Sequence, residues 1–317
     1  DKVLMIDARN IYRKVTRKIY DFSPEQQQNL LAIVWLYRGQ TDKYLDLISG
    51  YCRRTLDEGA GCFSTADENG EAIRPLPDFE AALDVLNDTL QPFIGTLDDD
   101  SAHAEVQKEL AEALPAFHAD IKAFQQALTE QEAAWKQQKT TNGNLKQTVE
   151  RLAPLAESSR DLIKQTDLLY KLASRLFETL QQAPSPRPSP SGRGDRNGRG
   201  ELRKCLKALD EGRQQAVEQL KQVRYFWRQA YWLTERFPDA ELCNVEGLVK
   251  LVDRTEIAAN DWSLTPGRYV GVAPEEEDED FDFEEALRGI HVELEDLNVE
   301  AVKLAATIKK NFEELGI

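Results

Sequence analysis

The sequence predicts a mainly α protein, with long antiparallel coiled-coil helices, a terminal heptad helix and one N-terminal strand. Apolar residues repeat at alternating spacings of four and three in several runs between Leu110 and Leu315, the seam of a helix that packs on another helix. One early segment, Val3 to Ile6, is instead a short continuous apolar run closed by Asp7, the pattern of a buried strand. A lone strand cannot form a sheet, so this one needs a partner.

Taken in order, residues 23–58 read as linker helices. Ser23 as N-cap, Pro24 at the first helical position and Gln26 three residues after the cap make a capping box, and the first helix should stop near Gly39. A second, short helix is expected over Tyr44 to Leu56. Residues 59–79 are rich in Gly, Asn, Asp and Pro and read as a loop. A long helical arm over 80–182 follows, with a seam at Leu110, Leu114, Phe117, Ile121, Phe124, Leu128, Trp135, Leu145, Val149 and Leu152. Gln131, Gln138 and Asn142 sit at seam positions. Unbroken, these roughly 40 residues would reach about 60 Å, although Pro115 and Pro154 should bend or break the helix. The seam resumes at Ile163, Leu169, Leu176 and Leu180.

Residues 183–201, rich in Pro, Ser, Gly and Arg, cannot bury enough apolar surface to offset their ordering entropy. They should form a disordered insertion at a hairpin tip, either tolerated there or touching nucleic acid. A returning helix over 202–237 carries Leu202, Leu206, Leu209, Ala216, Leu220, Val223, Trp227 and Ala230 on its seam. Its aromatic stretch Tyr225 to Trp232 serves either as core or as a base-stacking surface. Residues 238–280 hold the turn "SLTPGRYVG" and an acidic linker. The last segment, 281–317, is a heptad helix through Leu287, Ile290, Leu294, Leu297, Ala301, Leu304, Ile308 and Leu315.

Charge and composition exclude several function classes. The net charge of −16 over 317 residues opposes a free-standing nucleic-acid binder, whose affinity comes from Lys and Arg. It is compatible with a DNA-associated subunit, because the charge is uneven. Arg13, Lys14, Arg17 and Lys18 make one basic patch, and Arg187, Arg193, Arg196, Arg199 and Arg203 a second, against nine acids among residues 275–285. That acidic run is either a solvated linker or a contact for a cation or protein. Four dispersed cysteines without a C-x-x-C, and only three histidines, give no zinc motif or disulfide framework. The thiols are expected to be reduced. No run approaches the roughly 18–20 apolar residues of a membrane span, so a cytoplasmic protein with no membrane partner is expected. There is no P-loop, no G-x-S-x-G and no H-E-x-x-H, and the G-x-G triplets lack a strand-loop-helix context. Catalytic, cofactor-binding and metal-binding residues are therefore none.

The stretch from Phe237 to Leu287, "FPDAELCNVEGLVKLVDRTEIAANDWSLTPGRYVGVAPEEEDEDFDFEEAL", with the heptad helix after it, resembles the C-terminal region of the modification (N6-adenine DNA methyltransferase) subunit of type I restriction–modification systems. The opening "KVLMIDARNIY" resembles the segment where that family's catalytic sheet ends and its linker helices begin. The resemblance covers roughly residues 1–56 and 237–317; the middle is generic coiled coil. It implies that residues 1–22 are the last strand of a methyltransferase α/β sheet and its connector.

The family methylates adenine N6 with S-adenosylmethionine, using a Gly-containing cofactor loop and an Asn/Asp-Pro-Pro-Tyr/Phe motif. Neither occurs here, so no catalytic residue is carried over. The chain is expected to be an excised fragment or a truncated gene product, inactive alone and without its own cofactor. The implied partners are the DNA-specificity subunit and, through it, a second modification subunit, the restriction subunit and, indirectly, DNA. The candidate interface is Leu287, Ile290, Leu294, Leu297, Leu304 and Ile308. The turn Trp262, Leu264, Pro266, Gly267, Arg268 and Tyr269 should dock on the linker helices, with Gly267 at positive φ and Trp262, Leu264 and Tyr269 buried, and aim the last helix outward. A stand-alone coiled-coil scaffold is the alternative.

Overall fold

The computed structural model describes residues 2–14, 19–67, 69–94, 102–182 and 194–273, and the helical positions 287, 290, 294, 297, 298, 301–305, 307 and 308. It is mainly helical. The element order is β1 (Lys2–Ile6), β2 (Arg13–Lys14), β3 (Tyr20–Asp21), α1 (Pro24–Tyr37), α2 (Thr41–Gly61), β4 (Thr65–Ala66), β5 (Ala72–Ile73), α3 (Pro75–Ile94), α4 (Ala102–Trp135), α5 (Asn142–Gln182), α6 (Gly194–Arg236), β6 (Val249–Asp253), α7 (Arg254–Ala259) and a 3-10 turn (Pro266–Arg268). The chain divides into two compact units, Asp1–Gln27 with Cys243–Ile317, and Gln28–Leu242.

The capping box forms. The Gln26 N–H donates to Ser23 Oγ at 3.1 Å, and the Ser23 N–H donates to Gln26 Oε1 at 2.9 Å, so two orphan donors at the start of α1 are satisfied reciprocally. After α1, Gly39 reverses the chain at φ 68°, and α2 begins at once. That helix runs to Gly61, beyond the expected end near Leu56, and takes in the first residues of the expected 59–79 loop. Two of its glycines are packing residues: a Cβ on Gly59 would lie 2.8 Å from Leu128 Cδ1 and one on Gly61 2.6 Å from Gln219 Nε2, whereas Gly50 meets nothing. The other end of the expected loop, Pro75 to Phe79, is the start of α3, and between the two lies a β4–β5 hairpin closed by Asp67, whose carboxylate accepts the N–H groups of Asn69 and Glu71 at 2.9 and 2.8 Å.

The second unit is a helical bundle around α6, which packs on α2, α3 and α5, while α4 packs on α5. Side-chain pairs fix the directions. Asn142 bonds to Pro238, Trp227 to Val149, Arg224 to Glu157 and Arg213 to Asp167, so α5 and α6 run antiparallel. Gln165 meets Asp120 at 2.7 Å and Thr148 meets Gln138 at 2.7 Å, which makes α4 and α5 a second antiparallel pair. The arm is thus folded back between Trp135 and Asn142 and does not extend as one helix. The seam has no apolar residue between Trp135 and Leu145, and the heptad spacing is indifferent to whether the chain crosses that gap straight or by a turn.

Neither proline breaks its helix: α4 continues through Pro115 and α5 through Pro154. Buried Phe117, Leu152 and Leu155 flank them, and that burial outweighs a cost of about 3 kcal/mol. The α5 seam passes through buried Leu162, with Ile163 only half-buried. Residues 183–193 of the Pro/Arg/Gly segment lie outside the described residues, and α6 begins at Gly194, inside it. In the aromatic stretch, Phe226 is buried and the Trp227 indole N–H donates to the Val149 carbonyl at 2.9 Å, a core role. Seam hydroxyls bond to their own helix, Thr148 to the Asn144 carbonyl and Thr166 to that of Leu162, so their burial leaves no polar group unmet. Cys52 and Cys62 are buried free thiols; burial pushes the Cys52 thiol up to about 12.

Tyr44 fastens two ends of this bundle. Fully buried in α2, its hydroxyl donates to the Leu233 carbonyl at 2.9 Å near the end of α6, an oxygen that also accepts the Phe237 N–H at 3.0 Å. Tyr44→Phe should lower stability by about 1 kcal/mol, read as a lower urea midpoint at unchanged m-value.

Candidate assembly interface

The first unit is organised by a strand that sequence reading missed. Segment "VKLVD" forms β6, which pairs antiparallel with β1 in the register Lys2↔Asp253, Leu4↔Leu251 and Ile6↔Val249. Asp7 extends the ladder through its N–H to the Leu248 carbonyl at 2.8 Å. Asp253 then caps α7, its carboxylate accepting the Glu256 N–H at 2.9 Å. A D-x-x-E pattern after an apolar run is the signal that would have located both elements.

The turn region folds back on this ribbon. Asp261 and Trp262 both adopt left-handed conformations, φ 56° and 57°, which cost about 1 kcal/mol or more each. The Trp262 N–H donates to the Ile257 carbonyl at 3.0 Å, closing the end of α7. The Tyr269 hydroxyl donates to the Ser263 carbonyl at 2.5 Å, bracing the loop from inside. Tyr269 and Val270 are buried with Met5, Val252 and Ile257. The core of this unit is therefore the contact between the turn, the ribbon and α7.

Of the three side chains expected to bury around the turn, only Tyr269 does. Trp262 and Leu264 are 59% and 67% exposed, because the left-handed pair turns the chain outward before the 3-10 turn begins. Pro266 is half-buried at the first position of that turn, and Arg268 is exposed. Gly267 does not have positive φ; the positive-φ glycines are Gly39, Gly70, Gly247 and Gly271. A Cβ at Gly267 would sit 2.6 Å from an Arg9 guanidinium nitrogen and 3.1 Å from the Asp7 carboxylate, so a side chain there would displace the exposed end of Arg9.

Asp7 and Arg9 are neighbours of the turn that the sequence did not single out. Asp7 is buried at the end of β1, and Arg9 bonds to both its oxygens at 2.9 Å through Nε. The Arg9 side-chain hydrogen bonds hold the Asp7 carboxyl below the usual aspartate range, against the opposite pull of burial.

The last helix offers the candidate interface. The described positions from Leu287 to Ile308 are helical. Leu287, Ile290, Leu294, Leu304 and Ile308 are 47%, 53%, 53%, 60% and 47% exposed, and Leu297 is half-buried. The apolar side chains described here are thus open to solvent over about half their surface.

Comparison with known proteins gives one partial relationship. A stretch of 61 residues, 19% of this chain and 14% of the relative, is 44% identical to the type I restriction enzyme HindI methylase subunit of Haemophilus influenzae. The matched stretch thus spans about one seventh of that relative's length. No family model matches the chain, and no solved structure matches it.

The ion pair generates a pH prediction. With the folded pKa of Asp7 below the unfolded value of about 3.9, the pair stabilises the fold above that value, and the contribution is lost as pH falls through the depressed pKa. Asp7→Asn should therefore lower the urea midpoint at neutral pH, and its gap from wild type should close as the pH is taken below the aspartate range. Gly247→Ala tests the turn independently. Its added Cβ would lie 2.3 Å from the Ala273 backbone nitrogen at φ 73°, so the variant should lose more than about 1 kcal/mol, measured by thermal denaturation.

Proposed function

We propose that this chain is the assembly region of the modification subunit of a type I restriction–modification DNA adenine-N6 methyltransferase, and that its last helix docks on the DNA-specificity subunit. The open apolar stripe from Leu287 to Ile308 carries the reading. Five leucine and isoleucine side chains at heptad spacing, each about half exposed, are an unfilled half of a helix–helix seam. The natural occupant of such a seam is another apolar helix, and the helical spacer of a specificity subunit is the partner that the methylase relationship brings in.

In this reading the methyl transfer belongs to sequence outside this chain. The cofactor loop and the Asn/Asp-Pro-Pro-Tyr/Phe motif are absent from residues 1–317. Calorimetric titration of the purified chain with S-adenosylmethionine should give no binding heat; stoichiometric binding would sink this part of the proposal.

The docking is tested with Leu294→Asp and Leu297→Asp together. Two carboxylates in a desolvated seam should cost several kcal/mol of association, on the order of 3 or more. The expected result is a folded chain, by circular dichroism, that no longer co-purifies with a co-expressed specificity subunit. Unfolding of the double variant, with no affinity of the wild type for that subunit, would assign the seam to this chain's own core.

A further inference from the structure

The ribbon of β1 and β6 has two edges, and only one of them is closed. In an antiparallel pair, alternate residues turn both backbone groups toward the partner strand and the others turn theirs away. The Asp7 N–H donates to the Leu248 carbonyl at 2.8 Å, so in this register Val3, Met5 and Asp7 face β6, while Leu4 and Ile6 face away from it. On β6 the residues that face away are Val249 and Leu251. Both are met. Val249 exchanges two backbone hydrogen bonds with Val245, each 2.9 Å, and the Leu251 N–H donates to Asn244 Oδ1 at 2.9 Å. Among the described residues nothing meets the N–H or C=O of Leu4 or Ile6.

The side chains define the kind of strand that belongs at this edge. Met5 and Val252 share one face of the ribbon, where Tyr269, Val270 and Ile257 are buried with them. The opposite face carries Leu4, Ile6, Val249 and Leu251. Val249 is buried and the other three are half-buried, so this face is apolar as well. Strands apolar on both faces are those of the interior of an α/β sheet, which is covered on both sides. Edges that stay open in native sheets are guarded by charge, proline or a bulge. The run Val3 to Ile6 has no charge and no proline, and its register with β6 is unbroken. Two strands are also fewer than a sheet needs to be stable by itself.

We propose that the outward edge of β1 pairs with an apolar strand of the methyltransferase part of the same subunit, so that β1 is an interior strand of a larger sheet and β6 its closing edge. This rests on the assembly reading, in which the methyl transfer belongs to sequence outside this chain. The family resemblance makes β1 the last strand of the sheet; in this arrangement that place goes to β6. Two other occupants fit the edge less well. A second copy brings together chains that each carry a net charge of −16, and these repel. The acidic run 275–285 would have to set nine carboxylates beside an apolar ribbon, at a heavy desolvation cost.

Amide hydrogen exchange read by NMR tests the edge on the whole chain without any substitution. In the chain alone the Met5 amide should be protected, and the Leu4 and Ile6 amides should exchange close to the rate of unbonded backbone. With the methyltransferase part of the subunit added or joined, the Leu4 and Ile6 amides should slow at least about tenfold, as bonded strand amides do. Leu4→Pro removes an outward N–H and no ladder donor. That variant should keep its circular dichroism and its Met5 protection, and should no longer capture the methyltransferase part in a pull-down. Met5→Pro, which removes a ladder donor, should lose the β1–β6 pairing in the chain alone. Capture by Leu4→Pro equal to that by wild type, or fast exchange at Leu4 and Ile6 inside a subunit that methylates adenine, would overturn the edge proposal and leave the assembly reading standing. Slowing of those amides in the chain alone as its concentration rises would assign the edge to a second copy instead. A subunit without methyltransferase sequence would sink the assembly reading and this proposal with it.

Discussion

The pairing of β1 with β6 is the constraint on which the first unit depends. It joins residues 2–6 to residues 249–253, bringing together strands that more than 240 residues separate. Loop-closure entropy grows only slowly with length, by about 0.6 kcal/mol per doubling, so the long excursion between the strands is thermodynamically tolerable. An excursion with its own core makes it easier still. Residues 28–242 form such a unit. Once paired, Met5 and Val252 give Tyr269, Val270 and Ile257 a surface to bury against, and the turn acquires its shape from that burial.

The turn against this ladder leaves little room at two glycines, in one case against backbone and in the other against side chains. Gly247 lies against Ala273, with its N–H bonded to the Val270 carbonyl at 2.6 Å. Gly267 lies against the Asp7–Arg9 pair. One is a conformational need as well as a steric one; the other is steric alone. The sequence reading assigned positive φ to Gly267 from the Pro-Gly dipeptide, because that dipeptide is the usual sign of a type II turn. The chain instead makes a 3-10 turn there, and the glycine answers to a charge pair 258 residues away in sequence that no local pattern announces.

Legibility followed the range of the interactions. The capping box at Ser23 and the buried seam positions of the bundle could be read directly, since both are set by residues three and four apart. Where the arm folds back could not, because a seam interrupted between Trp135 and Leu145 suits either a straight helix or a hairpin. β6 was hidden for a related reason: five residues with Lys250 in second place give a weak alternation, and only its distant partner makes it a strand.

Heptad spacing carries a further distinction that the two units display side by side. In α4, α5 and α6 the repeat corresponds to side chains that are buried, Phe117, Phe124, Leu145, Leu169, Leu209 and Leu220 among them. Between Leu287 and Ile308 the same repeat corresponds to side chains that are about half exposed. The pattern therefore states that a helix is built to be covered and says nothing of what covers it. For α5 and α6 the cover is set by ion pairs and hydrogen bonds across the helices, such as Arg213 with Asp167 and Trp227 with Val149. Those polar pairs select partner and direction, while the apolar seam supplies most of the free energy. The seam from Leu287 to Ile308 shows the apolar ingredient, and the charged residues beside it in sequence, Glu293, Glu295, Glu300 and Lys303, are the groups that would select a partner and its direction in the proposed docking.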